Sequence, residues 1–431
     1  MENLVSEPQM ELFGNQSTTR DTTMTFVDNM KLPIHRWFRY SAGFSGEWVR
    51  SLLREHPDAL NIIDPFAGSG TVMLESGFLG RNSYGVEPHP FVNRIANVKT
   101  AWNLDVTLLK QYANDVLQMA EGSDHEEKEI PELILKCYGA EACTRLYSLR
   151  QAFLNSSIEE PYDEMIWFLI TSILRKTSAV GTAQWQYVLP NKSKSRVIDP
   201  YIAYQAKLSE IVSDIRAMKA KHPNRSVGRV LKEDSRGTTS IPDDWGDLVI
   251  TSPPYANNYD YADATRLEMT FWGDVLKYSD LHDKVRKYLM VSCTQHASKN
   301  DVKQNYETIL QSDLLTSISE ELKVVFETLS EVRKTKGGKK QYHLMILAYF
   351  RDISLILKEL RRATKPTAKM CFVVGDSAPY GVYVPVDKWI GKLAIQHGFT
   401  GYSFEKLRDR NTKWKNRKHR VLLKEGRLWI H

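Results

Sequence analysis

The sequence predicts an α/β protein, an open sheet with helices between its strands and helical insertions. Three observations predict it. Asn61-Ile62-Ile63 runs into Asp64-Pro65-Phe66-Ala67-Gly68-Ser69-Gly70-Thr71, which reads as strand, glycine turn and helix. Leu248-Val249-Ile250 is a short apolar run that ends in the stiff stretch Thr251-Ser252-Pro253-Pro254-Tyr255. Further short runs at 83–86, 228–231 and 370–374 alternate with amphipathic segments of helical period.

Length and composition bound the answer. A chain of 431 residues holds one large domain with insertions, or two domains. Apolar residues make up 42%, enough for a core, and a net charge of +6 requires any nucleic-acid surface to be local. The four cysteines, Cys137, Cys143, Cys293 and Cys371, form neither a metal-ligand pattern nor a disulfide framework, which fits a reducing compartment and no metal. The longest apolar run, 165–174, falls far short of the roughly 20 residues of a spanning helix. The polar, acidic N-terminus does not read as a signal peptide, so the expected location is the cytoplasm of a microbe, with no membrane partner.

Taken in order, residues 1–30 read as a loose polar arm. Tyr40-Ser41-Ala42-Gly43-Phe44-Ser45 precedes an amphipathic helix over 47–56, with Trp48, Val49, Leu52 and Leu53 on one face and Ser45 near its N-cap. The helix after the glycine turn covers 71–79 and stops at Gly80. A second strand, 83–86, ends in Glu87, roughly 20 residues past the glycines, where a carboxylate binds ribose hydroxyls; a surface glutamate is the plainer alternative. A helix over 91–102 follows. Residues 103–225 show no strand and read as a helical insertion, with helices at 141–153, 160–176 and 201–221 and a solvated acidic run at 121–129. Within it, residues 184–196 interleave aromatics with amides and bases. Trp185 there could stack on a nucleic-acid base, or the loop could be pinned by core aromatics.

The third strand, 228–231, ends near Asp234, with Glu233 as the alternative carboxylate because strand ends read from sequence shift by about 2–4 residues. The fourth strand carries Ser252-Pro253-Pro254-Tyr255. Two prolines fix φ and remove two donors, leaving the Ser252 hydroxyl and the Ser252 and Pro253 carbonyls as a rigid row of acceptors beside an aromatic ring. Such a row suits a flat heterocycle with an exocyclic amine; a loop that merely ends a strand has the same sequence. The Tyr-, Asn- and Asp-rich stretch 256–263 can line a base pocket. A second helical insertion covers about 274–340 and ends in a basic loop with Lys339 and Lys340, either a phosphate contact or a solvated turn. A helix over 343–364 leads to the fifth strand, 370–374. Two strands then flank the most basic stretch of the chain, with Lys413, Lys415, Arg417 and Lys418, which reads as a phosphate contact or a hairpin tip.

Together, Asp64–Thr71 and Thr251–Tyr255 resemble the motifs of the DNA amino-methyltransferases, over roughly 31–100 and 226–431. The resemblance implies a Rossmann-like methyltransferase sheet, S-adenosylmethionine as cofactor and double-stranded DNA as substrate, with the target base flipped out of the helix. It divides the chain into the arm 1–30, a first methyltransferase part 31–102, the insertion 103–225 as a possible DNA-reading region, and a second part 226–431. It implies cofactor contacts from Tyr40, Phe44, Ser45, Asp64, Pro65, Phe66, Gly68, Gly70, Thr71, Glu87 and Asp234, the last accepting the adenine amine. Catalysis would fall to Ser252, Pro253, Pro254 and Tyr255. Serine at the first catalytic position is typical of the cytosine-N4 branch, whereas the adenine-N6 branch usually carries Asp or Asn. Cytosine carbon-5 enzymes use a Pro-Cys nucleophile, and no cysteine here follows a proline. An RNA base methyltransferase and a DNA-binding protein with a decayed methyltransferase fold are the remaining alternatives; intact Asp64, glycines and prolines speak against decay. No nuclease motif is found, so a restriction or defence partner would be a separate chain. The oligomeric state is not legible.

Overall fold

The computed structural model describes residues 26–40, 43, 45–123, 129–182, 187–257, 259–297, 305–410 and 421–431. Its centre is a seven-stranded sheet. Strands β1 (Asn61–Asp64), β2 (Asn82–Val86), β5 (Arg229–Leu231), β6 (Gly246–Thr251), β7 (Thr364–Gly375), β8 (Tyr402–Arg410) and β9 (Leu423–Ile430) lie in the order β5-β2-β1-β6-β7-β9-β8. The first five of that order pair parallel, and β9 is inserted antiparallel between β7 and β8. This is a mixed, mostly parallel sheet of Rossmann-like methyltransferase type. Ile62, Ile63, Leu248, Val249 and Ile250 are fully buried. Helices cover both faces of such a sheet, which is why its central strands read as continuous apolar runs rather than alternating ones. Each of those side chains contributes roughly 1.5–3 kcal/mol of burial.

Strand order reverses between β1 and β6. From β1 the chain passes through helix α2 (Thr71–Phe78) to β2 on one side, while β6 pairs β1 on the other. The carboxyl ends of two such strands diverge to either side and leave a crevice, the usual ligand position in open α/β sheets. Helix α1 (Gly46–Glu55) packs on α2, and α3 (Pro90–Thr100) follows β2.

The insertion supplies α4 (Val106–Glu121) and the helices Ala140–Asn155, Tyr162–Thr177 and Pro200–Lys221. Its core is continuous with Ile34, Trp37 and Phe38 before α1 and with Phe91 and Val92 of α3, so it shares one apolar cluster with the segments beside the glycine turn. Two features differ from the sequence reading. A hairpin, β3 (Val180–Thr182) with β4 (Val188–Ser193), stands where no strand is expected; its strands are short and lack an alternating pattern. The loose arm was expected to reach residue 30, yet Phe26–Lys31 forms a 3-10 helix, and the Asn29 side chain accepts a hydrogen bond from Gly46 N at 2.8 Å. On the opposite face, helices Ser319–Lys334, Tyr342–Ala363 and Val386–Gln396 form a second core. No helix among the described residues is long and apolar enough to cross a membrane.

Candidate functional site

The glycine turn is built from below. Asp64 ends β1 and is buried; its Oδ1 accepts from Phe66 N at 3.0 Å, closing the turn, and from the Thr251 hydroxyl at 2.6 Å. One carboxylate therefore ties the glycine turn to the first residue of Thr251–Tyr255, 187 residues away. Burial raises the Asp64 pKa to about 7 against these two hydrogen bonds. Gly68 has φ +50° and Gly70 φ +82°, which L side chains avoid. A Cβ on Gly68 would meet the Tyr40 ring at 3.0 Å, and one on Gly70 would meet Ala96 at 3.3 Å. Gly70 is the N-cap of α2. Beneath the turn, Lys99 of α3 is fully buried and donates to Ser69 O at 2.8 Å; burial lowers its pKa to about 7. Nothing in the sequence singles out Lys99, because a lysine in an amphipathic helix ordinarily faces water.

Glu87 ends β2. One carboxylate oxygen accepts from Gly68 N at 3.0 Å and the other from His89 N at 2.9 Å, and burial raises its pKa to about 8 despite both bonds. A cavity opens between this carboxylate and the fourth strand. Tyr40, Gly43, Phe66, Gly68, Glu87 and Asp234 line one part of it, and Ser252, Pro254, Tyr261 and Met290 another. Three of its lining residues, Ser69, His89 and Ser292, carry a buried side-chain atom (Oγ, Nδ1 and Oγ) with no hydrogen-bond partner among the described residues. Asp234 faces the cavity while both its oxygens take Arg236 Nε at 2.9 Å. Glu233, the alternative, turns into its own loop, where Thr238, Thr239 and Ser240 donate to it.

The remaining sequence-predicted residues divide. Thr71 lines the cavity. Ser45 caps α1, accepting from Trp48 N at 3.4 Å, and Pro65 presents its carbonyl to the Ser235 hydroxyl. Ser252 Oγ donates to Val373 O at 3.3 Å, which leaves its lone pairs able to accept. Pro253 is buried behind it. Tyr255 does not line the cavity: the Arg410 guanidinium lies over its ring, 5.0 Å from the centroid, held by Asp376 O at 3.1 Å and Glu425 at 3.3 Å. The aromatic rings that line the cavity are those of Tyr40, Phe66, His89 and Tyr261, the last on the same side as Ser252. Lys339 and Lys340 sit in an exposed turn beside Gly338 and away from the cavity lining; Lys340 N donates to the Tyr380 hydroxyl. Phe44, Trp185, Lys413, Lys415, Arg417 and Lys418 lie outside the described residues.

Next to the cavity, Asp260, Cys293 and His296 each bring one ligand-type atom within 4.8 Å of the others, a grouping that sequence spacing does not reveal. Arg286 already holds the Asp260 carboxylate at 2.7 and 3.1 Å. Burial works against charge on His296, but the Asp260 carboxylate 3.6 Å away, with Cys293, prevails and raises its pKa to about 9.

No family model matches the sequence. The chain is similar along most of its length to curated proteins. It is 28% identical to the Type II methyltransferase M.BsoBI of Geobacillus stearothermophilus, covering 94% of this chain and 86% of the relative. It is 24% identical to the Type II methyltransferase M.AvaI of a Nostoc strain, over 87% and 81%, and 21% identical to the Type II methyltransferase M.MvaI of Kocuria varians, over 85% and 82%.

Proposed function

We propose that this chain, similar throughout to Type II methyltransferases, is a site-specific DNA methyltransferase that moves a methyl group from S-adenosylmethionine to N4 of cytosine in double-stranded DNA. The observation that carries the reading is the single cavity running from Glu87 and Gly68 to Ser252 and Pro254. A methyl donor on the glycine turn and an amine at the serine share it without a barrier between them. The unpartnered polar atoms of Ser69, His89 and Ser292 fit a polar occupant.

In this reading Glu87 holds the ribose hydroxyls, Asp234 takes the adenine amine, and the turn at Gly68–Gly70 admits the chain of the cofactor close to backbone. The cofactor supplies an electrophilic methyl group. The protein supplies alignment. A cytosine amine is a weak nucleophile because its lone pair is delocalised into the ring. Acceptors at Ser252 Oγ and the Pro253 carbonyl favour a tetrahedral nitrogen whose lone pair faces the methyl. The Asp64–Thr251 bond fixes the register between donor and acceptor. The neutral Ser252 hydroxyl also donates, so it can face an unprotonated ring nitrogen beside the amine, which a carboxylate would repel. A serine hydroxyl at this position, where the adenine-N6 branch usually carries Asp or Asn, supports cytosine over adenine.

The insertion 103–225 is the proposed DNA-reading region, and the cytoplasm, at the chromosome, the proposed location. As part of a restriction-modification system the chain would work beside a separate nuclease. The experiment that tests the function is transfer of labelled methyl from S-adenosylmethionine: label is expected in duplex DNA, and label in RNA alone would overturn the reading. Neutralising Lys413, Lys415, Arg417 and Lys418 together is expected to weaken binding to all DNA sequences and to flatten the salt dependence by about 0.9 in log–log slope per lost phosphate contact. Unchanged affinity and slope would make the basic stretch a solvated tip.

A further inference from the structure

The segment that follows the catalytic stretch is clasped by the insertion. The Tyr187 hydroxyl, just before β4, accepts a hydrogen bond from the backbone N–H of Asp260 at 2.9 Å. Its ring lies 5.6 Å from that of Tyr259, which in turn stands edge-on to Tyr261 at 4.5 Å. Tyr261 lines the cavity. One helix further on, Arg175 of the insertion donates to Ala264 O at 2.7 Å and to both oxygens of Glu268, and Lys194 of the hairpin donates to Arg175 O. The Asp260 carboxylate is held from the other side by Arg286.

Resting on the function proposed above, we propose that Tyr187 is a positioning residue for methyl transfer: through Asp260 N it sets the loop that carries Tyr261, and so couples the insertion to the cavity. The reasoning is local. Asp260 and Tyr259 are buried, and Asp260 N spends its hydrogen bond on a side chain rather than on the sheet or a helix. A buried N–H needs its acceptor, so the loop follows wherever the Tyr187 hydroxyl goes. The hairpin belongs to the insertion, not to the sheet. A shift of the insertion on meeting DNA would therefore reach the cavity wall through one hydrogen bond and a row of three tyrosines. Tyr187 touches neither the Ser252 hydroxyl nor the glycine turn in any hydrogen bond, so its effect falls on geometry rather than on affinity.

The test compares the full-length chain with its Y187F and Y187A variants in steady-state DNA methylation, S-adenosylmethionine titration, thermal melting and amide exchange over 255–263. Y187F keeps the ring and loses the acceptor. Its kcat is expected to fall about tenfold, the effect of one hydrogen bond, with the cofactor Kd and the DNA KM within about twofold of the parent, Tm within about 4 °C of it, and faster exchange over 255–263. Y187A, which also loses the Tyr259 contact, is expected to fall further in kcat. An unchanged kcat in Y187F overturns the proposal, as does a kcat loss matched by losses in cofactor affinity and Tm, which would mark a merely structural tyrosine. A parent chain that binds S-adenosylmethionine but methylates no DNA refutes the proposed function instead. The exchange data then decide by themselves: faster exchange in Y187F supports the coupling and unchanged exchange overturns it.

Discussion

Replacing Ser252 by alanine is expected to lower kcat for methyl transfer by about 10²–10³-fold, the usual loss when one aligned polar group is removed from a developing charge, while DNA affinity stays within a few-fold. The asymmetry follows from what the hydroxyl does. In the ground state the amine is planar and conjugated, and it can find other acceptors. As the nitrogen becomes tetrahedral its hydrogens turn toward Ser252 Oγ, so the interaction strengthens along the reaction coordinate and appears in kcat. The side chain makes a long bond to Val373 O at 3.3 Å and a second to Tyr255, both from a half-buried position, so the fold is expected to persist without it. Single-turnover kinetics with saturating DNA check the result; a variant with parental turnover would remove Ser252 from the chemistry.

Glu87→Ala is expected to raise the S-adenosylmethionine Kd about 100-fold, since two hydroxyl contacts to a charged acceptor are lost. Asp64→Ala weakens the cofactor too, by releasing Phe66 N and the Thr251 hydroxyl together, and the fold survives both changes. Burial, partly offset by the Gly68 and His89 N–H groups, places the Glu87 pKa at about 8, so near neutral pH the ligand-free carboxyl is largely protonated. Ribose hydroxyls donate to the ionised form and pull that pKa down. Binding then releases a proton, and affinity rises as pH climbs from 6 toward 8. Calorimetry in buffers of different ionisation enthalpy reads the proton directly. Glu87→Gln should show neither the release nor the pH rise, and unchanged affinity in both alanine variants would sink the cofactor assignment.

The sequence carried the sheet because its central strands are buried on both faces and cannot avoid apolar runs. The runs at 83–86 and 248–250 lie inside observed strands, that at 228–231 overruns its strand by one residue, and helix ends fall within a residue or two, as at Gly46–Glu55 against an expected 47–56. It brought Ser252, Glu87 and Asp234 to the wall of one cavity for a related reason. Ligand-facing residues in this topology sit where a strand stops, and a strand's end is visible locally. What was invisible depends on the third dimension. The Asp64–Thr251 bond joins two strands only because strand order reverses between them. Lys99 reads as a solvent-facing helix residue until α3 is laid under the glycine turn. The hairpin Val180–Ser193 has too few residues for a periodic pattern. Arg410 over Tyr255, and Tyr40 with Tyr261 in the cavity wall instead, follow from how β8 and the loop after β6 meet.

The most direct test of the central claim is mass spectrometry of nucleosides from duplex DNA after reaction with isotope-labelled S-adenosylmethionine. The account predicts label in N4-methylcytosine, at one recognition sequence, with none when Ser252 is alanine and the reaction is quenched early. Label confined to N6-methyladenine would contradict the cytosine assignment and the argument from the neutral serine hydroxyl; label in neither base would contradict the function itself.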